Sequence, residues 1–495
     1  MTNIPILSLL IFFPFLGSLI ILFINKNDKS YKNKVKEIGL WTSIINFFLS
    51  LILLYSFDKT ETQFQFVENF KLINDLGIYY YLGIDGISLS FILLTTLLIP
   101  VCIVVSWNKI NQNIGYYIAS FLMIECFLIG VFSSLDLFIF YIFFEGSLIP
   151  LFLIIGIWGG KNRIYASYKF FLFTIFGSLL MLLGILTLYF YSGTSNLTLL
   201  INTDIPFILQ IWLFLSFFAS FAIKIPMWPF HTWLPDAHVE APTAGSIILA
   251  GVLLKLGGYG FLRYSLPLFP EASEFFAPFI FTISLIAIIY ISIVALAQTN
   301  LKKLIAYSSV AHMGFVTIGI FSRNLEGLQG SVFQMISHGL ISSALFLSAG
   351  TLIERIDTKN INNFGGMFKQ MPKFSIFFLI YCLGAISFPG TTGFIGEFLV
   401  LLGAFKINFI ICIFAASGII LSACYILWLY NRICFGTNNY KGIVIFDDIY
   451  IIERKTEKGN LGEHLKLSLV RFMSLTDDSN SLVGKIFANC AERTK

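Results

Sequence analysis

Runs of mostly apolar residues alternate with short polar stretches along the first 437 positions. Their approximate limits are 5–24, 38–57, 86–106, 116–133, 137–157, 168–191, 207–229, 243–264, 277–297, 301–321, 331–352, 374–404 and 408–431. Each reaches or approaches the ~20 residues that a helix needs to cross a ~30 Å hydrocarbon layer. The pattern predicts an all-α polytopic membrane protein of about 13 transmembrane helices. The first run is too long for a signal-peptide core and lacks a basic leader or a small-residue cleavage site, so it is expected to stay as a span.

Two runs are broken by proline in mid-course. The seventh contains Lys224-Ile225-Pro226-Met227-Trp228-Pro229, and the twelfth contains Phe388-Pro389-Gly390, followed by Gly393 and Gly396. Proline removes a helix hydrogen bond and clashes with the preceding turn. In lipid the freed backbone groups must find partners in protein or in a water-filled cavity. The breaks lie five spans apart, which predicts two inverted five-helix repeats, each containing one broken helix, around a mid-membrane path. An odd number of spans per repeat forces the inversion. The expected organisation is an N-terminal three-helix segment over 1–115, repeats over 116–264 and 265–437, and a polar non-membrane tail over 438–495. Two unrelated packing kinks are the competing explanation.

Composition narrows the class further. Apolar residues make up 57% of the 495 and charged residues only 12%, against the roughly 25% usual in soluble domains. That balance excludes a nucleic-acid binder and a disulfide-stapled secreted domain. The net charge of +5 acts as an orientation signal. Residues 25–37 carry Lys26, Lys29, Lys32, Lys34 and Lys36 against two acids, whereas 58–75 carry Asp58, Glu61, Glu68 and Asp75 against two lysines. The first loop is therefore inside and the N-terminus outside. Lys161, Arg163, Lys169, Lys302, Lys303, Arg432 and Lys441 then all fall inside, and Trp41, Trp107, Trp158 and Trp233 would mark the inner boundary as an aromatic belt. A bias towards Phe, with 55 residues, and towards Ile, Asn, Tyr and Lys suits an AT-rich organellar gene. The seven cysteines include no C-x-x-C pair and read as packing residues.

Ionisable residues inside apolar runs are costly, about 2.5–3.5 kcal/mol each at a helix centre, so they must face a partner or water. Glu125, Glu145, Lys224, Lys255 and Glu397 are of this kind. Glu145 lies nine residues beyond Asp136, about 13 Å down from the outer interface and near the midplane. Lys255 is central in its span, Lys224 precedes the Pro226 break, and Glu397 lies on the outer side of the second break. Burial drives acid and base towards their neutral forms and pairing restores the charge, so such groups exchange protons as partners move. A static ion pair is the alternative, though it would use only two of these charges. Glu125 and Asp136 can equally be satisfied by hydrogen bonds near the surface. His231, His312 and His338 are candidate proton relays, and His238 shares the polar hinge 231–240 with His231. No Cys/His spacing suits a metal, and no G-x-G-x-x-G after a strand, P-loop, iron–sulfur cysteine set or haem motif occurs. No redox centre is expected on this chain.

Three stretches carry a resemblance. They are Phe143-Phe144-Glu145-Gly146-Ser147-Leu148-Ile149-Pro150, the run from Lys224 through His231-Thr232-Trp233-Leu234-Pro235-Asp236-Ala237-His238 to Lys255-Leu256-Gly257-Gly258-Tyr259-Gly260, and Leu301 through His312-Met313-Gly314. All resemble the proton-pumping antiporter-like subunits of respiratory complex I, over about residues 1–437. The resemblance implies that Glu145 and Lys224 form a coupled pair, that Lys255 is the central relay, and that Glu397 is the outer exit group. Glutamate at the last position is similar to chain 4 of the complex and differs from its sister subunits 2 and 5. It further implies partners in the other membrane-arm subunits, subunits 2 and 5 among them, with lipids around and no nucleic acid. NAD, FMN, iron–sulfur clusters and ubiquinone are expected on other subunits, and the mitochondrial inner membrane is the expected location. Members of the family end in a fourteenth span, whereas residues 440–495 carry nine basic and eight acidic residues and no long apolar run. The expected function is proton translocation coupled to NADH oxidation and quinone reduction elsewhere. A stand-alone cation/proton antiporter and a non-conducting spacer with locked charges are the alternatives.

Overall fold

The computed structural model describes residues 5–27, 30–73 and 77–437, so the polar tail lies outside the described residues. Among the described residues twelve helices are long and apolar enough to cross a bilayer. They are α1 (Ile6–Phe23), α2 (Tyr31–Ser56), α3 (Gly86–Val105), α4 (Ile114–Ser133), α5 (Leu137–Trp158), α6 (Arg163–Ser192) and α7 (Phe207–Lys224), then α9 (Thr243–Leu268), α10 (Pro270–Leu296), α11 (Leu301–Phe321), α12 (Leu325–Ile356) and α15 (Phe409–Cys434). Three of the shorter helices flank the breaks: α8 (Trp233–Glu240), α13 (Pro372–Ala385) and α14 (Thr392–Ile407). The run expected at 374–404 is thus two half-helices. The chain is a multi-pass helical membrane protein.

Polar caps start several helices where the apolar pattern begins. Asp85 accepts from the Ser88 amide at the head of α3, and Asp136 accepts from the Phe138 and Ile139 amides at the head of α5. Asn300 and Asn324 do the same for α11 and α12. Each side chain satisfies an amide that has no partner within its own helix. Helices α3, α9 and α11 are 94% buried over their apolar windows and α12 is 89% buried, so these four form the interior. Helix α15, at 28%, sits at the rim.

Both breaks end with the same backbone device. At the end of α7 the Met227 amide donates to the Ala222 carbonyl at 2.8 Å, and at the end of α13 the Phe388 amide donates to the Leu383 carbonyl at 3.1 Å. These six-to-one bonds close a Schellman-type cap. At the second break Ser387 has a φ of 59° and its amide donates to the Gly384 carbonyl. Pro226, at the corresponding place of the first, has no amide to give. Trp233 is not part of an inner aromatic belt. Its ring is 1% exposed and its Nε1 donates to the Ile223 carbonyl at 3.0 Å. A carbonyl freed by the break captures the indole, and that requirement outweighs the interfacial preference of tryptophan.

A second pair of matching contacts joins the loops. Asp136 bridges Asn196, and Asn300 bridges Asn360, with the same length of chain between partners in both. The amides of Leu137 and Leu197 donate to the carbonyls of Ser195 and Leu135, just as those of Leu301 and Ile361 donate to Lys359 and Thr299.

Two features, a hairpin and a pair of π-helical stretches, have no counterpart in the sequence pattern. A hairpin of β1 (Gln65–Ile73) and β2 (Ile78–Ile84) lies between α2 and α3. Its Glu68 accepts from the Leu7 and Ser8 amides and so caps α1. Helix α9 contains two π-helical stretches, Leu249–Leu253 and Phe261–Ser265, on either side of Lys255. Glu125 is fully buried and accepts from Asn46 Nδ2 of α2 at 2.8 Å, which places it inside the bundle rather than near the surface.

Candidate functional site

Lys224 ends α7 at the break, so the loosened backbone and the charge occupy one place. Its buried Nζ lies 4.5 Å from the centre of the Phe144 ring and makes no hydrogen bond. A ring face attracts a cation without supplying an acceptor. Glu145, half-buried on α5, is the residue after that ring, and its charge and that of Lys224 act on each other. No ion pair within 4 Å joins them among the described residues, and one buried oxygen of Glu145 has no partner. The structure thus places the expected pair side by side, without a bond.

Helix α9 brings Lys255 up against the end of α7. A Cβ on Gly257 would stand 2.6 Å from the Phe221 carbonyl and 2.7 Å from the Ile225 amide, so the two backbones meet at this glycine. Just beyond the first π-helical stretch, the fully buried Lys255 Nζ donates to the Ala250 carbonyl at 2.5 Å and sits 2.8 Å from His338 Nδ1 of α12. π-Helical turns recur where a helix must re-aim a functional side chain. Lys224 and Lys255 themselves share no hydrogen bond.

From His338 the contacts continue outward. Its ring centre is 5.7 Å from that of His312 on α11. His312 Nδ1 lies 2.8 Å from Glu397 Oε1 of α14, and Gln334 Nε2 of α12 donates to the same oxygen at 2.9 Å. The Nε2 atoms of both histidines and Glu397 Oε2 are buried with no partner. Beside them lies a small cavity with room for about one water, lined by Ser308, Ser309, His312, Gln334, His338 and Ser342 together with Ile305, Ile341 and Leu345. A water there would find hydrogen-bond partners only on the side formed by the serines, the imidazoles and Gln334. An imidazole that accepts at one nitrogen and donates at the other passes a proton across its ring, so the geometry suits transfer from Lys255 to Glu397.

His231 and His238 make no hydrogen bond to this line of contacts among the described residues, although His238 is near enough to feel the charge of Lys255. His231 follows the first break, with its ring centre 6.3 Å from that of Tyr307. His238, which the sequence reading left in the polar hinge, is fully buried, stacked 4.3 Å from Phe346 with neither ring nitrogen paired. Gln334 was also missed. Its signal was legible, a polar side chain one helical turn before His338 in an otherwise apolar run. No metal-holding cluster of His, Cys, Asp and Glu occurs among the described residues.

Interrupted helices whose breaks face buried acids, lysines and histidines define the antiporter-like class of multi-pass membrane proteins. Residues 134–422 match the family model described as NADH:quinone oxidoreductase/Mrp antiporter, transmembrane, and the chain belongs to that family. It is 55% identical to an NADH-ubiquinone oxidoreductase chain 4 of Chondrus crispus, over 88% of each chain. It is 49% identical to an NADH-quinone oxidoreductase subunit M of Rhodobacter capsulatus, over 87% of this chain and 86% of that one. A chain of respiratory complex I from Thermus thermophilus with bound NADH has a TM-score of 0.83 at 29% identity, covering 98% of both chains.

Proposed function

We propose that this chain is a proton-translocating membrane-arm subunit of an NADH:ubiquinone oxidoreductase. NAD, FMN, iron–sulfur clusters and ubiquinone would then be held by other subunits, and the neighbours would include antiporter-like subunits corresponding to 2 and 5. Relatives named chain 4 in Chondrus crispus and Marchantia polymorpha, with the organellar residue bias, support a place in the mitochondrial inner membrane and an organelle-encoded gene. Residues 116–264 and 265–437 form two inverted units. The matched loop bridges and the matched helix caps support that division.

One observation carries the reading: a buried set of contacts from Lys255 through His338 and His312 to Glu397, with a small cavity beside the two imidazoles. In the proposed cycle, losing charge on the Glu145–Lys224 pair frees Lys224 to hand a proton towards Lys255. His338 and His312 carry it to Glu397, which releases it outside, and His231 serves the inner end near Lys224. Replacing Glu145 by Gln or Lys255 by Met in the assembled complex, in sealed membrane vesicles, tests this. Protons moved per NADH oxidised should fall by this chain's share of the total, because the neighbouring antiporter-like subunits go on pumping. An assembled complex with an undiminished ratio would instead leave the chain as a spacer.

A further inference from the structure

Glu397 rides on α14, the half-helix beyond the second break, and is held by Gln334, a polar side chain from α12, the long helix that precedes the broken one. The first break has the same parts. Asp236 rides on α8, the half-helix beyond Lys224, and its Oδ2 accepts from Lys169 Nζ of α6, the long helix before α7, at 2.6 Å. Under the inverted two-unit reading of the previous subsection, on which this inference rests, the second half-helix points outward and the first inward. The two carboxylates then occupy corresponding places at opposite ends of the path.

Their surroundings differ in the way opposite ends require. Glu397 is 1% exposed. The Asp236 side chain is 32% exposed and that of Lys169 20%, on the side of the bundle where loop charge places the inner water. Tyr307 of α11 feels the charges of both Asp236 and Lys169, and beside its ring is His231, which feels the charge of Lys169 and whose buried Nδ1 is unpaired. Tyr165 of α6 lies against Lys169, with Nζ 5.6 Å from its ring centre. Beyond His231 the chain leads back to Lys224 at the break.

We propose that Asp236 is the inner loading group of the path. Its carboxylate takes a proton from the inner water, passes it to His231 and returns to the carboxylate form, while Lys169 positions it as Gln334 positions Glu397.

The test uses sealed vesicles carrying the assembled complex and measures protons moved per NADH oxidised. Asp236→Asn should lower that ratio as far as Lys255→Met does, Asp236→Glu should retain it, and the double variant Lys169→Met/Asp236→Asn should stay as low as Asp236→Asn. Recovery in the double variant would overturn the proposal, because a bond that only braces α8 against α6 needs no charge once both charges are gone. An undiminished ratio in Asp236→Asn, beside a lost ratio in Lys255→Met, would also overturn it while leaving the transport reading intact. If Lys255→Met is unaffected as well, the transport reading falls too. Should the asparagine variant fail to assemble, Asp236→Cys gives a second readout. A membrane-impermeant thiol reagent should label it from the inner side, and absence of inner-side labelling would overturn the proposal.

Discussion

Trp233 illustrates how a single unpaired carbonyl decides where a side chain goes. In water the Ile223 carbonyl would be solvated, but at the end of an interrupted span it needs a protein donor, and the indole is that donor. Replacing Trp233 by Phe keeps most of the ring and removes only the N–H. The buried carbonyl then goes unsatisfied at a cost of about 1–3 kcal/mol. The purified complex carrying Trp233→Phe should unfold at a lower temperature, or assemble in lower yield, and Trp233→Ala should be worse because it also opens a cavity. The site residues were legible one at a time, as charges and imidazoles inside apolar runs. Which of them touch was not. Lys255, His338, His312 and Glu397 come from four different helices, and nothing in local spacing states that α9 and α12 cross at Lys255 and His338.

Among whole helices, the breaks were legible because Pro and Gly carry their backbone consequences in their own chemistry. The π-helical stretches of α9 were not, because no residue type marks them, and the hairpin was not, because it sits between two strong helical signals. The junction of α7 and α9 depends on Gly257, where a methyl group would meet main-chain atoms that have nowhere to go. Gly257→Ala should push α9 away from the end of α7, costing about 1–3 kcal/mol of overpacking. It should depress the pumping ratio even though it touches no titratable group. Gly156→Ala is the control. The nearest atom there is the Ser167 hydroxyl at 3.3 Å, and the side chain can shift. Comparable losses of activity in the two variants would refute the account of the junction.

For the molecule as a whole, the question is what holds the helix sets together. Ion pairs staple the inner surface: Lys109 to Glu354 at 3.0 Å, and Lys359 to Glu240 at 3.4 Å. Exposed pairs of this kind contribute about 0–1 kcal/mol, far less than the buried apolar faces of α3, α9, α11 and α12. Lys109→Ala should therefore shift thermal unfolding of the complex by little more than the error of the measurement, and 0.5 M salt should not dissociate the chain. The same weighing explains why the fold class could be read from the sequence so directly. Apolar pattern dominates the energetics of the bundle, and its period is visible in one dimension. The buried lysine of α9 has a last consequence at this scale. One of its two neighbours, the Ala250 carbonyl, can attract the ammonium but has no proton-carrying form within reach, whereas the imidazole of His338 can be reloaded. In the proposed cycle a proton that reaches Lys255 therefore has a single hydrogen-bonded taker, and that taker belongs to another helix.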